Sequence, residues 1–371
     1  MGGEAGLEKG GGKLDEQGIL FDYTVKFLLL AGFLELVLYR LVSRLGMHLA
    51  KVAEKHEWVR ITFRGLSSIG FTLLNFVSLL VFLALFLFLL NKTRSGGNGF
   101  YDRLLVPALS LLVLLTIAFL VFPPAMLGSV VYNLLSFGVL VLVVAEYLRN
   151  HQVRRQQAMV LCYGLGITGW LYYQTVSTTF GLLGVVAAPP FVHEVNRAGE
   201  AFMVLASILV FWAYGGTPIW STNKRQRRRS LIFYSTAAGA FLVLLFLDYF
   251  LVSYDQALAE TVRKAGEGIG WIFQMGMGYT FYLPFAFYVT GLLCWGYTVV
   301  KLITIGRMAG FGIGLMFMAG YALQLSHLTL MMVLGLLLLN LDRKRLAAPA
   351  REGVEVPVMV GPATTLVGER A

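Results

Sequence analysis

The stretch Ser68–Leu90 reads SIGFTLLNFVSLLVFLALFLFLL, twenty-three residues without a charge. A helix needs about 20 predominantly apolar residues to cross a bilayer. Runs of the same kind recur along the chain at 104–122, 125–148, 158–178, 198–217, 231–252 and 279–300. A longer run follows, GRMAGFGIGLMFMAGYALQLSHLTLMMVLGLLLLN over 306–340. As one straight helix its 35 residues would extend about 52 Å, against a hydrocarbon core of about 30 Å. Ser326 and His327 are its strongly polar mid-run pair, so the sequence predicts two short helices, 307–322 and 326–341, joined near there. A single tilted or broken helix is the alternative. An earlier stretch, 24–46, is interrupted by Glu35 and Arg40 and reads as a spanning helix or as one lying on the surface.

The expected fold is therefore all-α: a polytopic integral membrane helix bundle of nine or ten transmembrane helices. Residues 24–341 form the transmembrane domain, with disordered tails at 1–23 and 342–371. Composition agrees. Of 371 residues, 57% are hydrophobic and 13% charged, and mean hydropathy is +0.73. Soluble chains carry about 25% charged residues, so a soluble globular protein and a disordered one are both excluded. Two cysteines exclude a disulfide scaffold. The first 18 residues are glycine-rich and acidic and lack the pattern of a secretory signal.

The net charge of +10 lies mostly in short connections. Lysine and arginine mark cytoplasmic loops. Loops 92–103, 149–157, 218–230 and 301–307 hold three, three, five and two of them, thirteen in total, while 123–124, 179–197 and 253–276 hold none, one and two. The expectation is a multi-pass protein of the cell membrane with the first four loops cytoplasmic. The lipid bilayer is the expected partner, and nucleic acid is not, because membrane orientation accounts for the charge. Six basic residues between Arg40 and Arg64 fall on the opposite side and break the rule.

Ionisable residues at membrane depth are costly and mark function. The densest group is PPFVHEVNRAGE at 189–200, where His193, Arg197 and Glu200 fall at i, i+4 and i+7 on one helical face. Such a set can bind an anion, relay protons or polarise a substrate. The plain alternative is an interfacial cap, with Glu194 near a helix start and Arg197 paired to it. Asp248 lies inside the span 231–252 and needs a partner, with Arg197 nearest by topology. Gln174 ends the helix at 158–178 on the same side, beside Tyr172 and Tyr173, and His327 joins them if 306–340 is a hairpin. His193, Arg197, Glu200, Asp248, Gln174 and His327 thus make one candidate substrate site in the extracytoplasmic half. Catalytic residues are not assigned by this pattern.

No haem or other cofactor is expected, because no histidine pair lies in mid-span. No metal is expected either: Cys162 and Cys294 lack neighbours at ligand spacing and read as packing residues. Gly164, Gly166 and Gly169, like Gly310, Gly312 and Gly314, read as points of close helix contact. Residues 253–276 suggest a short surface helix with Glu260 and Lys264 paired. Three functions fit: a carrier for a small solute or lipid, which is the leading reading; a membrane enzyme acting on a lipid-linked or outer-leaflet substrate; and a non-catalytic subunit among other membrane subunits.

Overall fold

A computed structural model describes residues 8–40, 56–94, 100–122, 126–151, 153–184, 189–265, 270–321 and 328–347, with no strand among them. The elements are α1 Glu8–Glu35 with a π-helical turn at Leu36–Arg40, α2 Glu57–Arg94, α3 Phe100–Val121, α4 Met126–Asn150 and α5 Arg154–Leu182. They continue with α6 Pro190–Tyr214, α7 Lys224–Ala265, α8 Gly270–Ile305, α9 Met308–Tyr321 and α10 Leu328–Ala347.

The helices close into a ring around a hairpin. Each of α1 to α7 packs against its successor, and α8 packs back on α1. Inside stand α9 and α10, packed on each other. The first touches α1, α5, α6 and α8; the second touches α2 and α4. Residues 308–320 and 329–340 are buried without a break. This is why 306–340 is apolar on every side: a helix surrounded on all faces has no place for a polar stripe. The expected hairpin is present, with α9 and α10 within two residues of the predicted limits at three ends. The fourth runs on to Ala347. Its centre is tight. A Cβ on Gly312 would stand 2.6 Å from the Gly335 carbonyl oxygen. Beside it, Phe317 stacks on Trp295 of α8 with ring centroids 3.8 Å apart.

The ring helices are apolar outside as well as in. On α2, Val77, Val81, Ala84 and Leu85 are buried while Phe76, Leu79, Leu83 and Phe86 are exposed. Such an exterior suits a hydrocarbon surround, where backbone groups must be satisfied within each helix. Among the described residues four helices are long and apolar enough to cross a membrane: Glu57–Lys92, Met126–Asn150, Pro190–Tyr214 and Ala286–Ile305. Three shorter apolar stretches are Arg103–Phe119, Met308–Gly320 and Thr329–Leu341. A count of nine or ten spans is not reached on length and composition. The fourteen residues of α9 extend only about 21 Å, and α5 is diluted by polar residues such as Gln156, Gln157, Gln174 and Thr175.

Helix ends differ from those expected. The first helix starts at Glu8, inside the segment expected to be a tail, because Phe21 is already packed in the core and anchors the turns before it. Glu35, at its end, is buried. Asn223 caps α7, its Oδ1 accepting the Arg225 N–H at 2.9 Å. This helix runs 42 residues, about 63 Å, and α8 runs 36 residues, about 54 Å. The separate surface helix expected within 253–276 is thus replaced by continuations of α7 and α8. Residue 306 ends α8 with φ +68°, a left-handed conformation suited to glycine.

Candidate functional site

The site begins with how α6 starts. Pro189 has an extended conformation and Pro190 occupies the first helical turn, where a missing N–H costs nothing. The helix therefore starts eight residues before the expected 198, and all of His193–Glu200 is helical. At 3.6 residues per turn, positions seven apart drift by about 20°. His193, Glu200 and Ser207 accordingly form one line down α6, with Arg197 and Asn196 beside it. On α5, Tyr163, Trp170 and Gln174 form a second line at i, i+7 and i+11.

The two helices make polar or aromatic contact at both ends of these lines. At the buried end, Tyr163 Oη and Ser207 Oγ are 3.0 Å apart. At the other end, the rings of Tyr173 and His193 lie 5.3 Å apart. The buried floor is knitted further: Ser207 Oγ donates to the Met203 carbonyl at 3.0 Å, and Tyr234 of α7 donates to the Ser207 carbonyl at 2.6 Å. Gly320 of α9 approaches the same place, since a Cβ there would stand 4.0 Å from Ser207 Oγ. At this buried end α7 and α9 thus pack against the α5–α6 contact. It runs about 21 Å along α6 from His193 to Ser207, fourteen residues at 1.5 Å each.

Within it, Arg197 Nη1 donates to Glu194 Oε1 at 2.8 Å, both side chains about half exposed. Asn196 Nδ2 donates to Glu200 Oε1 at 3.0 Å. The Oδ1 of Asn196 is buried and has no hydrogen-bond partner. His193 is exposed, while Gln174 and Glu200 are half-buried. His193, Arg197 and Glu200 lie within two turns of α6, and Gln174 lies on the neighbouring α5 next to Tyr173, whose ring meets His193. Arg197 takes Glu194, three residues before it, as a partner, as the plain capping alternative expected. Asp248 belongs to α7, but its side chain lies outside the described residues, as does all of His327.

Tyr163, Ser207 and Tyr234 were not singled out in the sequence. Serine and tyrosine within an apolar span carry no charge to draw notice. The seven-residue spacing from His193 through Glu200 to Ser207 is the signal that marks Ser207; Tyr163 and Tyr234, on other helices, carry none.

On the opposite flank of α6 from His193 and Arg197, the α5–α6 crossing leaves an open groove of about 330 Å³. It is lined by Leu165, Thr168 and Tyr172 from one helix and Val195, Ala198 and Phe202 from the other. Its floor is a glycine contact: a Cβ on Gly169 would stand 3.0 Å from the Cα of Gly199. The close helix contact expected of Gly166 and Gly169 is present. Thr168 donates its hydroxyl to Gly164 in its own helix at 2.8 Å, so the groove is effectively apolar and separate from the polar seam. No group of three or more histidine, cysteine, aspartate or glutamate side chains able to hold a metal occurs among the described residues.

Comparison with known protein families, with curated proteins and with solved structures finds no match at the level of sequence or of fold.

Proposed function

We propose that this is a polytopic membrane carrier for a small solute, which enters by the seam between α5 and α6. The observation that carries this reading is the polar contact of α5 with α6 at Tyr173–His193 and at Tyr163–Ser207 in a largely apolar bundle. Polar residues that face a bundle interior mark substrate paths. The buried end of the seam meets α9 at Gly320, which favours passage along the hairpin rather than through a central pore. In the topology given by the basic loops, the His193 end faces the extracytoplasmic side. A solute is favoured over a lipid because the apolar groove and the polar seam occupy opposite flanks of α6.

Uptake of labelled solutes into proteoliposomes tests this, with a panel of zwitterions, cations and anions. One class accumulates in the wild type. Arg197→Ala and His193→Ala lower its uptake by about tenfold or more, the effect of losing one hydrogen bond to a charged group. Accumulation of no class, or uptake untouched by both variants, defeats the reading.

One observation favours the subunit reading as a second possibility. The helices α7 and α8 extend about twice the thickness of a bilayer core, which leaves helical length outside a bilayer for a partner protein to contact. Co-purification in mild detergent with Arg197→Ala leaving assembly intact supports that alternative.

A further inference from the structure

The apolar groove at the α5–α6 crossing takes no part in the polar seam, and it continues along both helices. At about 100° per residue, Arg154, Ala158, Leu161, Leu165 and Tyr172 follow one another on a single face of α5. Phe202, Leu205, Leu209 and Trp212 do the same on α6. The helices are antiparallel, since Tyr173 meets His193 and Tyr163 meets Ser207. The two faces therefore border one furrow. The cavity of about 330 Å³ fills its far half, between Leu165 and Tyr172, and Arg154 and Trp212 stand at its near end. Leu161, Leu165, Phe202, Leu205 and Trp212 are exposed along it.

The near end is basic and uncompensated. Arg155 lies over the Trp212 ring, 4.7 Å from its centroid. Arg154 and Arg155 are both exposed. Among the described residues neither side chain makes a hydrogen bond or an ion pair. A cation over a ring is held by its charge, so the N–H groups of Arg155 remain for an anion. The start of α7 adds Lys224, Arg225, Arg228 and Arg229 to this end, and Arg227 Nη1 donates to the Gly216 carbonyl, just past α6, at 3.1 Å. No aspartate or glutamate occurs at 147–193 or 201–247. At the far end the charges are those of Glu194 and Arg197, which are paired to each other.

The lengths also agree. From Arg154 to Leu165 α5 rises about 16 Å. One leaflet of hydrocarbon is about 15 Å deep, half of the core. A chain hung from a headgroup at Arg154 thus ends where the cavity begins. We propose that this furrow binds a phospholipid with an acidic headgroup. Its phosphate meets Arg154 and Arg155, and an acyl chain runs along Leu161 and Leu205 with its end in the cavity. Basic pockets between spanning helices suit such headgroups. A second copy of the chain suits the furrow less well, because two-fold pairing across it sets each basic end against its like. The proposal is independent of the carrier reading, which uses the other flank of α6.

Native mass spectrometry of the full chain, stripped of lipid in detergent, tests it. Phosphatidylglycerol and phosphatidylcholine with identical chains are titrated in turn. The monomer takes up one phosphatidylglycerol at a concentration about tenfold or more below that needed for phosphatidylcholine, the gain expected of two arginines beside an anionic headgroup. Arg154→Gln combined with Arg155→Gln removes the preference. Ala198→Phe fills the cavity, leaves every charge in place and weakens the binding of both lipids. Arg228→Gln removes a charge from the same end outside the furrow and changes neither. Glycerol phosphate, an anion without chains, does not displace the bound lipid. All four altered side chains are exposed, so the core of the bundle is untouched. Equal uptake of the two lipids, an equal loss in Arg228→Gln, no effect of Ala198→Phe, displacement by glycerol phosphate, or a dimer that excludes lipid overturns the proposal.

Discussion

Single side chains in this bundle matter through the partners that burial forces on them. Tyr163 is fully buried, and its hydroxyl meets Ser207 at 3.0 Å. Tyr163→Phe deletes one hydrogen bond while Ser207 keeps its bond to the Met203 carbonyl, so the loss is small, about 1 kcal/mol. Chemical unfolding in mixed micelles, comparing Tyr163→Phe with wild type, checks that value. A loss above about 3 kcal/mol would mean that Ser207 is left unsatisfied as well. Glycines act in the opposite sense, by leaving room. A Cβ on Gly199 would stand 2.8 Å from the Gly166 carbonyl oxygen. Rigid backbone cannot give way as a side-chain tip can. Gly199→Val is therefore expected to cost about 1–3 kcal/mol through overpacking, whereas Gly216→Ala, with open space around it, leaves the melting temperature within a degree or two. A differential melting assay on the two variants side by side separates these outcomes.

At the scale of helices, the sequence was read well where hydrocarbon dictates it and poorly where it does not. The hairpin of α9 and α10 was placed within two residues at three of its ends, because apolar residues on every side and one polar pair leave few other solutions. The starts of α1 at Glu8 and α2 at Glu57 were missed, as was the length of α7 to Ala265. Hydropathy marks where lipid or core surrounds a helix; backbone hydrogen bonds continue past that limit at no penalty. The polar seam was legible in part. His193, Arg197 and Glu200 stood out as ionisable residues at a span end, and their shared face followed from spacing alone. Ser207 and Tyr163 stayed hidden because hydroxyls are common in apolar helices, bonding to the carbonyl four residues back. Glu146 lies inside the span expected at 125–148 and belongs to the buried stripe that begins at Ser136, a membership the sequence analysis did not single out. An element-scale prediction follows from the hairpin. Met332 is buried in α10, so Met332→Asp places an unpaired charge at the centre of the ring. Loss of the monodisperse peak in size-exclusion chromatography is the expected result, while the same exchange at exposed Leu79 disturbs the bilayer-facing side and not the ring itself.

For the whole molecule, the arrangement of ends is the testable quantity. Gly310 lies against Ile219 and Gly320 against Met203, so α9 runs antiparallel to α6. Gly32 and Leu29 lie against Met318 and Gly314, which makes α1 parallel to α9. Arg225 at the start of α7 and Lys344 at the end of α10 therefore belong to one end of the ring and His193 to the other. In a variant with Cys162 and Cys294 replaced by alanine, single cysteines at 225 and 344 react with an impermeant maleimide from one face of the membrane. A cysteine at 193 reacts from the opposite face. Labelling of 225 and 193 from the same face would break the ring.

The order of the chain gives this architecture a history. A ribosome releases the eight encircling helices before the two that fill their middle, and protein segments settle in the order they emerge. Until Met308 and the residues after it are inserted, the nascent ring surrounds nothing, and Trp295 has no Phe317 to stack against. The enclosure must therefore stay parted, or reopen, to admit its last guest. A nascent chain stalled just after Arg307 is the species in which quality-control proteases should find the most to degrade.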